Sequence, residues 1–263
     1  MDHRLLSSRL VGLLADLPLP RFARAFAWRR FASAVGANLE EVERPLDEYR
    51  SLNHFFVRRL APGRRSFPTD PVLFPSPVDG RVQSIERIGG EGHVLQAKGQ
   101  PYGVRELLGP AAPERLDGWW SWILYLSPRD YHRVHSPFAG RPRSITWIEG
   151  ERISVAPKVL ERIPRVFVRN ARAVVEIETE SGPAFLVMVG ALNVSRIRLE
   201  GVETGASTVP AGLHYAVGDE LGRFEMGSTV ILVTPPDGPV PSAELEPGRA
   251  VRLGETIGRY APA

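Results

Sequence analysis

The stretch from which the fold is predicted reads Arg223-Phe224-Glu225-Met226-Gly227-Ser228-Thr229-Val230-Ile231-Leu232-Val233. Its second half is a β-branched, apolar run, which is typical of a buried strand. A glycine at the entrance of a strand permits a bulge or a strained backbone that a Cβ atom would forbid. Two interpretations follow. The Gly-Ser pair is a structural bulge, or the peptide bond between Gly227 and Ser228 is itself reactive.

Composition sets the limits for the rest of the chain. The 263 residues, 43% hydrophobic and 24% charged, are typical of a soluble globular protein with a sizeable core. No cysteine occurs, which excludes disulfides, thiolate metal sites and cysteine nucleophiles. The net charge of +3 rests on arginines, because Lys98 and Lys158 are the only lysines. Arginine suits phosphate recognition, but a biased genomic composition explains the same excess. No nucleic-acid partner is expected.

The first 65 residues are predicted to be helical, with three segments at residues 4–17, 21–35 and 46–60. Between Met1 and Gly36 there are six arginines and two acidic residues. Aromatic side chains among these arginines favour an interfacial anchor on an anionic membrane. The alternative is that the helices pack on the protein's own core. No apolar run is long enough to span a bilayer, and the pattern is a poor signal peptide.

Residues 66–263 are predicted to form a β-rich domain. Strand patterns at residues 81–88, 119–126, 173–178 and 184–189 alternate with Gly/Pro turns. Two internal echoes occur: residues 76–85 resemble residues 136–145, and residues 218–224 resemble residues 254–260. The overall prediction is an α+β protein. Its N-terminal amphipathic helices precede a sandwich or barrel with duplicated hairpins of the biotinyl/lipoyl kind. A carrier domain of that kind needs a lysine at a hairpin tip, and neither lysine has that setting.

The segment from Leu126 to Pro137 holds two histidines, His132 and His135. Ser127 is predicted to begin a brief helical turn that Asp130 closes as a capping box. The histidines could be metal ligands, but no third ligand has suitable spacing. They could also be one core and one surface histidine, or two acid/base groups that work near neutral pH.

A catalytic relay is the third candidate feature. Asp79, His135 and Ser228 together would form an Asp-His-Ser relay, in which aspartate orients imidazole and imidazole deprotonates the hydroxyl. An ordinary turn aspartate is the simpler interpretation of Asp79 alone. Because Ser228 has no G-x-S-x-G elbow, an α/β-hydrolase is not expected. The carbonyl nearest its hydroxyl belongs to Gly227.

From about Phe55 to the C-terminus, the chain resembles the pyruvoyl-dependent phosphatidylserine decarboxylases of bacteria. The motifs that carry the resemblance are Phe55-Phe56-Val57-Arg58, Ser76-Pro77-Val78-Asp79-Gly80, Lys98-Gly99 through Leu107-Leu108-Gly109, Asp130-Tyr131-His132-Arg133-Val134-His135, Val189-Gly190-Ala191, and Gly222-Arg223-Phe224 with Gly227-Ser228-Thr229. Three positions depart from the family pattern: Met226 stands in place of leucine, Ala171 in place of glutamate, and Ser195 where a Val-Gly pair is common. None of the three belongs to the predicted relay.

The resemblance implies a proenzyme that cuts itself between Gly227 and Ser228. Asp79 would orient His135, and His135 would act as the base. Ser228 would become a covalent pyruvoyl cofactor that forms a Schiff base with the substrate amine, and no metal is expected. The products, residues 1–227 and 228–263, would remain associated, and a homodimer of that heterodimer is left open.

The resemblance also implies the reaction and its place. Phosphatidylserine in an anionic membrane surface would be decarboxylated to phosphatidylethanolamine and CO2, with His132 as the proton donor. The protein would be peripheral, on the cytoplasmic side of the cell membrane. Two alternatives stay open: a Ser-His-Asp lipid hydrolase and a non-catalytic lipoyl-like module.

Overall fold

The structure is a computed structural model that describes residues 14–97, 99–191, 196–225 and 228–261. It has an α+β architecture with short helices and mainly antiparallel sheets. Helices are α1 (Arg21–Val35), α2 (Leu52–Phe56), α3 (Val104–Leu108), α4 (Pro157–Leu160) and α5 (Val166–Arg169), with 3-10 turns at Leu46–Glu48 and Gly109–Ala111. Strands are β1 (Leu73–Pro75), β2 (Gly80–Arg87), β3 (His93–Ala97), β4 (Gln100–Gly103), β5 (Trp120–Leu126), β6 (Arg133–His135), β7 (Arg141–Ile148), β8 (Arg172–Thr179), β9 (Gly182–Gly190), β10 (Arg196–Leu199), β11 (Glu220–Glu225), β12 (Ser228–Thr234), β13 (Val240–Pro241), β14 (Ala250–Val251) and β15 (Thr256–Arg259).

The strand predicted at the Gly227–Ser228 pair is confirmed as β12. It lies in the middle of an open seven-stranded antiparallel sheet with the order β14-β2-β5-β12-β9-β8-β7. Every residue of β12 is buried, as expected for a strand that is paired on both edges and covered on both faces. Strands predicted at residues 81–88, 119–126, 173–178 and 184–189 are confirmed as β2, β5, β8 and β9.

The N-terminal helices differ from the prediction in one clear place. Of the first predicted helix, residues 4–13 lie outside the described residues, residues 14–16 are helical and Leu17 is a bend. The third predicted helix, at residues 46–60, is broken. Ser51 starts a new helix because its hydroxyl accepts the His54 N–H, and α2 ends at Phe56. Propensity alone does not show this local capping.

One face of α1 packs on the protein and the other is exposed. Trp28 and Ala32 are buried against Tyr49 and Phe55. This is the core packing that the alternative interpretation expected. No helix among the described residues has the length and hydropathy needed to cross a bilayer.

The two sequence echoes fold into two units with matching backbone hydrogen bonds, which we call the first module (residues 72–87 and 252–260) and the second module (residues 132–148 and 216–225). Each contributes two strands to a three-stranded sheet, β1 and β15 to the sheet β1-β15-β13 and β6 and β11 to the sheet β6-β11-β10. Pro75 pairs with Thr256 as His135 pairs with Glu220, and both registers shift at this point.

The turns of the two modules share their hydrogen bonds. Ser76 exchanges backbone bonds with Glu255 O (2.8 Å) and Gly254 N (2.9 Å), and Ser136 does so with Asp219 O (2.8 Å) and Gly218 N (2.8 Å). Each serine hydroxyl donates to the carbonyl two residues on, Val78 O (2.8 Å) or Phe138 O (2.7 Å). The modules meet where His135 N donates to Pro77 O at 2.9 Å.

Candidate active site

Ser228 is the first residue of β12 and is fully buried. It pairs with Leu126 of β5 and Gly190 of β9. Within the described part of the chain, its Oγ has no hydrogen-bond partner. A buried hydroxyl normally finds a partner, so this one is a candidate for ligand contact or for chemistry; the hydroxyl of the adjacent Thr229 is also unpartnered among the described residues. Gly227, on the other side of the predicted scissile bond, lies outside the described residues.

His132 is a buried neutral imidazole with one free nitrogen. Its Nδ1 lies 2.8 Å from Asp130 O, which fixes the proton on Nδ1. Its Nε2 is buried and has no partner among the described residues. Burial lowers the pKa of His132 to about 3, and the nearby charge of Arg58 acts in the same direction. The ring of Phe56 covers the imidazole at a centroid distance of 4.0 Å.

Two backbone contacts place His132 near the start of β12. The turn that carries it follows Leu126, the partner of Ser228. Its carbonyl accepts the N–H of Phe224 at 3.0 Å, just before the segment that leads into Ser228.

Asp130 Oδ2 accepts both the Ser127 N–H (2.8 Å) and the Ser127 hydroxyl (2.7 Å). The predicted closure by Asp130 is therefore present, around a single turn rather than a helix.

His135 ends β6 and is partly buried. Its Nδ1 lies 2.7 Å from Gly218 O, and its Nε2 lies 3.3 Å from the hydroxyl of Tyr131. Burial lowers the pKa of His135 below its ordinary value. The imidazole is therefore neutral at pH 7, with a proton on Nδ1 and a basic Nε2 that shares only a long contact with Tyr131.

Asp79 is bound by a partner that the sequence does not indicate. Its Oδ1 accepts from Arg65 Nε and from Leu253 N, both at 2.8 Å, and its Oδ2 accepts from Arg65 Nη2 at 2.5 Å. Arg65 also binds Glu41 at 2.9 and 3.1 Å. The direct Asp79–His135 bond of the predicted relay is absent from this geometry, because Gly218 O occupies the imidazole Nδ1.

The residues that sequence reasoning missed are therefore Arg65, Tyr131 and Gly218. Tyr131 lies inside the quoted Asp130–His135 motif, but the sequence alone assigns it no function. Gly218 opens the second echo. Arg65 had no signal, because it is one of many arginines and its contact with Asp79 depends on how residues 66–78 fold back. No group of three or more histidine or acidic residues in the described ranges could hold a metal ion.

A cavity of about 130 Å³ lies beside the residue that pairs with Ser228. Its wall includes Gly190, Trp147, Ile148, Ile197 and Arg196. An apolar cavity with a few polar groups is the usual form of a small-molecule site. The cavity borders Gly190, but Ser228, His132 and His135 are not among its lining residues.

Comparisons with known proteins agree on one family. The family profile described as "Phosphatidylserine decarboxylase" matches residues 52–259. The phosphatidylserine decarboxylase proenzyme of Pseudomonas fluorescens is 38% identical, over 100% of this chain and 95% of its own length. The proenzyme of Myxococcus xanthus is 39% identical, over 95% of this chain and 92% of its own. That of Nitrosococcus oceani is 40% identical, over 89% and 81%.

Proposed function

The chain belongs to the phosphatidylserine decarboxylase family, and from this premise we propose how its own residues mature and run the enzyme. It is a carboxy-lyase of the pyruvoyl-dependent kind that makes phosphatidylethanolamine. The single observation that carries the proposal is the buried, unpartnered Ser228 hydroxyl at the start of the central strand. Ser228 belongs to the Gly227-Ser228-Thr229 motif, one of the motifs that the chain has in common with the family.

Maturation begins when His135 Nε2 takes the proton of Ser228 Oγ. The oxygen attacks the Gly227 carbonyl, the peptide C–N bond breaks, and an ester replaces the amide. A base then removes the Cα proton of residue 228 and the Cβ–O bond breaks, which releases Gly227 as a carboxylate and leaves a dehydroalanine at position 228. Its imine tautomer adds water and expels ammonia, and a pyruvoyl group remains. Support comes from the neutral, partly buried imidazole of His135 and from β6, which pairs with β11, the strand that precedes Ser228 in the chain.

Asp79 acts in this scheme as a positioning residue. Arg65 and the Leu253 N–H hold its carboxylate, which fixes the turn that contains Pro77. Pro77 O accepts the backbone N–H of His135 at 2.9 Å. Asp79 therefore supports the base through the backbone, and Gly218 O fixes the tautomer that the predicted relay assigned to Asp79.

The residues around Ser228 fit a pyruvoyl group at that position, because the side chain is buried and its oxygen is unpartnered. The group supplies an electrophilic carbonyl and an electron sink for decarboxylation. His132 receives a proton at Nε2 and delivers it to the substrate Cα after CO2 has left. Phe56 packs against this buried imidazole, and a dry site favours loss of a localised carboxylate charge.

After the cut, the two chains remain associated. The small chain begins with β12, which is paired on both edges over its length, and it also contributes β13, β14 and β15. A strand in this position cannot leave without opening the core. Light scattering of the matured protein tests the further step, a homodimer of this heterodimer.

Residues 1–65 serve as a peripheral anchor on the cytoplasmic face of an anionic membrane. Phe22 and Phe26 of α1 are 89% and 71% exposed, and Leu14 and Leu17 are also exposed. Exposed arginines of α1 lie beside them. Apolar side chains next to cations are what an interfacial helix needs. Flotation with phosphatidylserine-containing and neutral vesicles tests this anchor, and Phe22→Ser with Phe26→Ser should weaken it.

The equivalent hydrogen bonds of the two modules support an origin by duplication of a hairpin of the biotinyl/lipoyl kind. This proposal concerns the scaffold. It attributes no carrier function to the chain.

A denaturing gel with intact-mass measurement tests the function. Wild-type protein should give two fragments split after Gly227, with a pyruvoyl group on the smaller one, and should convert phosphatidylserine to phosphatidylethanolamine. Ser228→Ala should stay whole and inactive. A single full-length species with a fluorophosphonate-reactive Ser228 would support a lipid hydrolase instead. A single species modified on Lys98 or Lys158 would support a carrier module.

A further inference from the structure

Arg58 is a buried cation whose donors are mostly unused. Arg58 is only 3% exposed to solvent. Nη2 donates to Arg129 O at 3.0 Å, whereas Nε and Nη1 are buried and have no partner among the described residues. The guanidinium carbon also lies 5.2 Å from the centre of the Phe55 ring. A side chain with five N–H donors is thus held in place by one hydrogen bond and one aromatic face.

Three contacts fix Arg58 beside His132. Phe56 packs against the imidazole with its ring tilted by 45°, Val57 O accepts from Arg133 Nε at 2.9 Å, and Arg58 itself donates to Arg129 O. The Arg58 guanidinium and the His132 ring therefore bind successive carbonyls of one turn. Their proximity also appears in the electrostatics, because the charge of Arg58 helps to lower the pKa of His132.

The acids nearest to Arg58 are committed to other partners. Asp130 binds Ser127 and lies 3.5 Å from Arg129 Nε, and Asp79 binds Arg65. No ion pair joins Arg58 to an acid in the described ranges. Burial lowers the pKa of Arg58 but leaves it charged at pH 7. A buried, uncompensated charge is costly, and an anionic ligand at this position would compensate it.

Building on the proposed function, we propose that Arg58 binds the phosphodiester of the phosphatidylserine headgroup while His132 faces the Cα atom of the same headgroup. The phosphorus lies three bonds from Cα, so neighbouring side chains on one turn can reach both. The carboxylate is the less suitable ligand. A guanidinium paired with it would stabilise the group that must leave and would oppose loss of CO2. The phosphodiester keeps its charge throughout the reaction.

The pairing has a consequence for His132. Burial is the main reason why the His132 pKa is low, and the charge of Arg58 adds to it. A phosphodiester on Arg58 offsets that added charge, so His132 takes up a proton more readily when the substrate is bound. Substrate binding and readiness to donate a proton are thereby coupled at one place.

The test compares matured wild-type protein with Arg58→Met, Arg58→Lys and the control Arg44→Met. Arg44 is about half exposed, and its ion pair is with the neighbouring Glu43. Wild type and the control must first cut themselves and decarboxylate phosphatidylserine; failure there refutes the proposed function rather than the role of Arg58. Ligand-observed NMR then measures dissociation constants for sn-glycero-3-phosphoethanolamine, which has a phosphodiester and no carboxylate, and for L-serine, which has the reverse.

We expect Arg58→Met to weaken binding of the phosphodiester probe about 10-fold or more, as for loss of a hydrogen bond to a charged group. Arg58→Lys should be intermediate, L-serine should change less than about 2-fold, and the control should match wild type. Because an unpaired buried charge is removed, the Tm of Arg58→Met without ligand should be unchanged or higher.

Three outcomes would overturn the proposal. Weaker binding of L-serine alone would assign the carboxylate to Arg58. Unchanged binding of both probes would indicate that Arg58 binds another anion, such as the carboxylate that cleavage creates on Gly227. Failure of both Arg58 variants to fold or to cut themselves would make Arg58 structural.

Discussion

The first and second modules have the same pattern of backbone hydrogen bonds but different side chains at equivalent positions. Where the second module has His132, Arg133 and His135, the first has Val72, Leu73 and Pro75 at the equivalent strand positions. Even the bond from Phe224 N to His132 O has a counterpart, from Tyr260 N to Val72 O. Strand pairing, serine turns and bulges are thus independent of the catalytic side chains.

The asymmetry teaches how a repeated scaffold can build one site. The second module leads directly into Ser228, and the first ends near the C-terminus. The first module contributes Asp79, whose counterpart is the exposed Ala139. The proposed site therefore takes one side chain, Asp79, from the first module and both histidines from the second. Substitutions at paired positions can separate what the scaffold does from what the site does.

The largest difference is expected at His135 and its counterpart Pro75. His135→Ala removes the proposed base, so self-cleavage should slow by about 10² to 10⁴-fold. Pro75→Ala should cut at close to the wild-type rate. A time course on denaturing gels measures both. Cutting by His135→Ala at the wild-type rate would remove this residue from the mechanism.

Asp79 and Ala139 form the second pair. Asp79→Asn breaks the buried ion pair with Arg65, which still binds Glu41, so the free energy of unfolding should fall by about 3 kcal/mol. Cleavage should slow about 10-fold through displacement of the His135 backbone. Ala139→Asn should change neither. Urea unfolding in a Ser228→Ala background, where one chain unfolds, gives the stability. An Asp79→Asn protein as stable as the control would contradict the positioning role.

The third pair is Gly254 and Gly218, the turn glycines with φ of +80° and +94°. A Cβ atom on Gly254 would lie 2.1 Å from the backbone oxygen of Ser66, whereas one on Gly218 would meet the side chain of Phe67 at 3.0 Å. Because backbone cannot move aside as a ring can, Gly254→Ala should cost about 2–3 kcal/mol and Gly218→Ala about 1 kcal/mol. Urea unfolding in the Ser228→Ala background measures both; equal losses would argue against the steric difference.

The smallest effect concerns His132 and Val72. The pKa of His132 is about 3 in the folded chain and about 6.5 when unfolded, so the unfolded chain binds more protons in between. The stability that the neutral imidazole contributes is complete above pH 6.5 and is lost as pH falls toward 3. From pH 7 to 5.5, wild type should lose about 1 kcal/mol more than His132→Asn, and Val72→Ala should follow wild type. Parallel curves for wild type and His132→Asn would indicate a charged or exposed imidazole.

Some of these features could be predicted from the sequence, and the others depend on tertiary contacts. The apolar run at Thr229–Val233 and the echoes at Ser76 and Ser136 are local patterns, so β12 and both serine turns were accessible. The partner of Asp79 was not, because the Arg65 side chain reaches it only after the intervening chain has folded back. The broken helix at residues 46–60 reflects a single cap at Ser51 that outweighs helical periodicity.

The burial of Ser228 at the head of a strand paired on both edges has a consequence for the lifetime of the enzyme. A cofactor made from this residue cannot dissociate, be exchanged, or be reloaded from a cellular pool. Each molecule then has one cofactor for its whole existence, and chemical damage at that single carbon ends its activity permanently. Cells can restore activity only by synthesising new chains, so the amount of active enzyme follows protein synthesis and degradation rather than any supply of vitamin-derived cofactor.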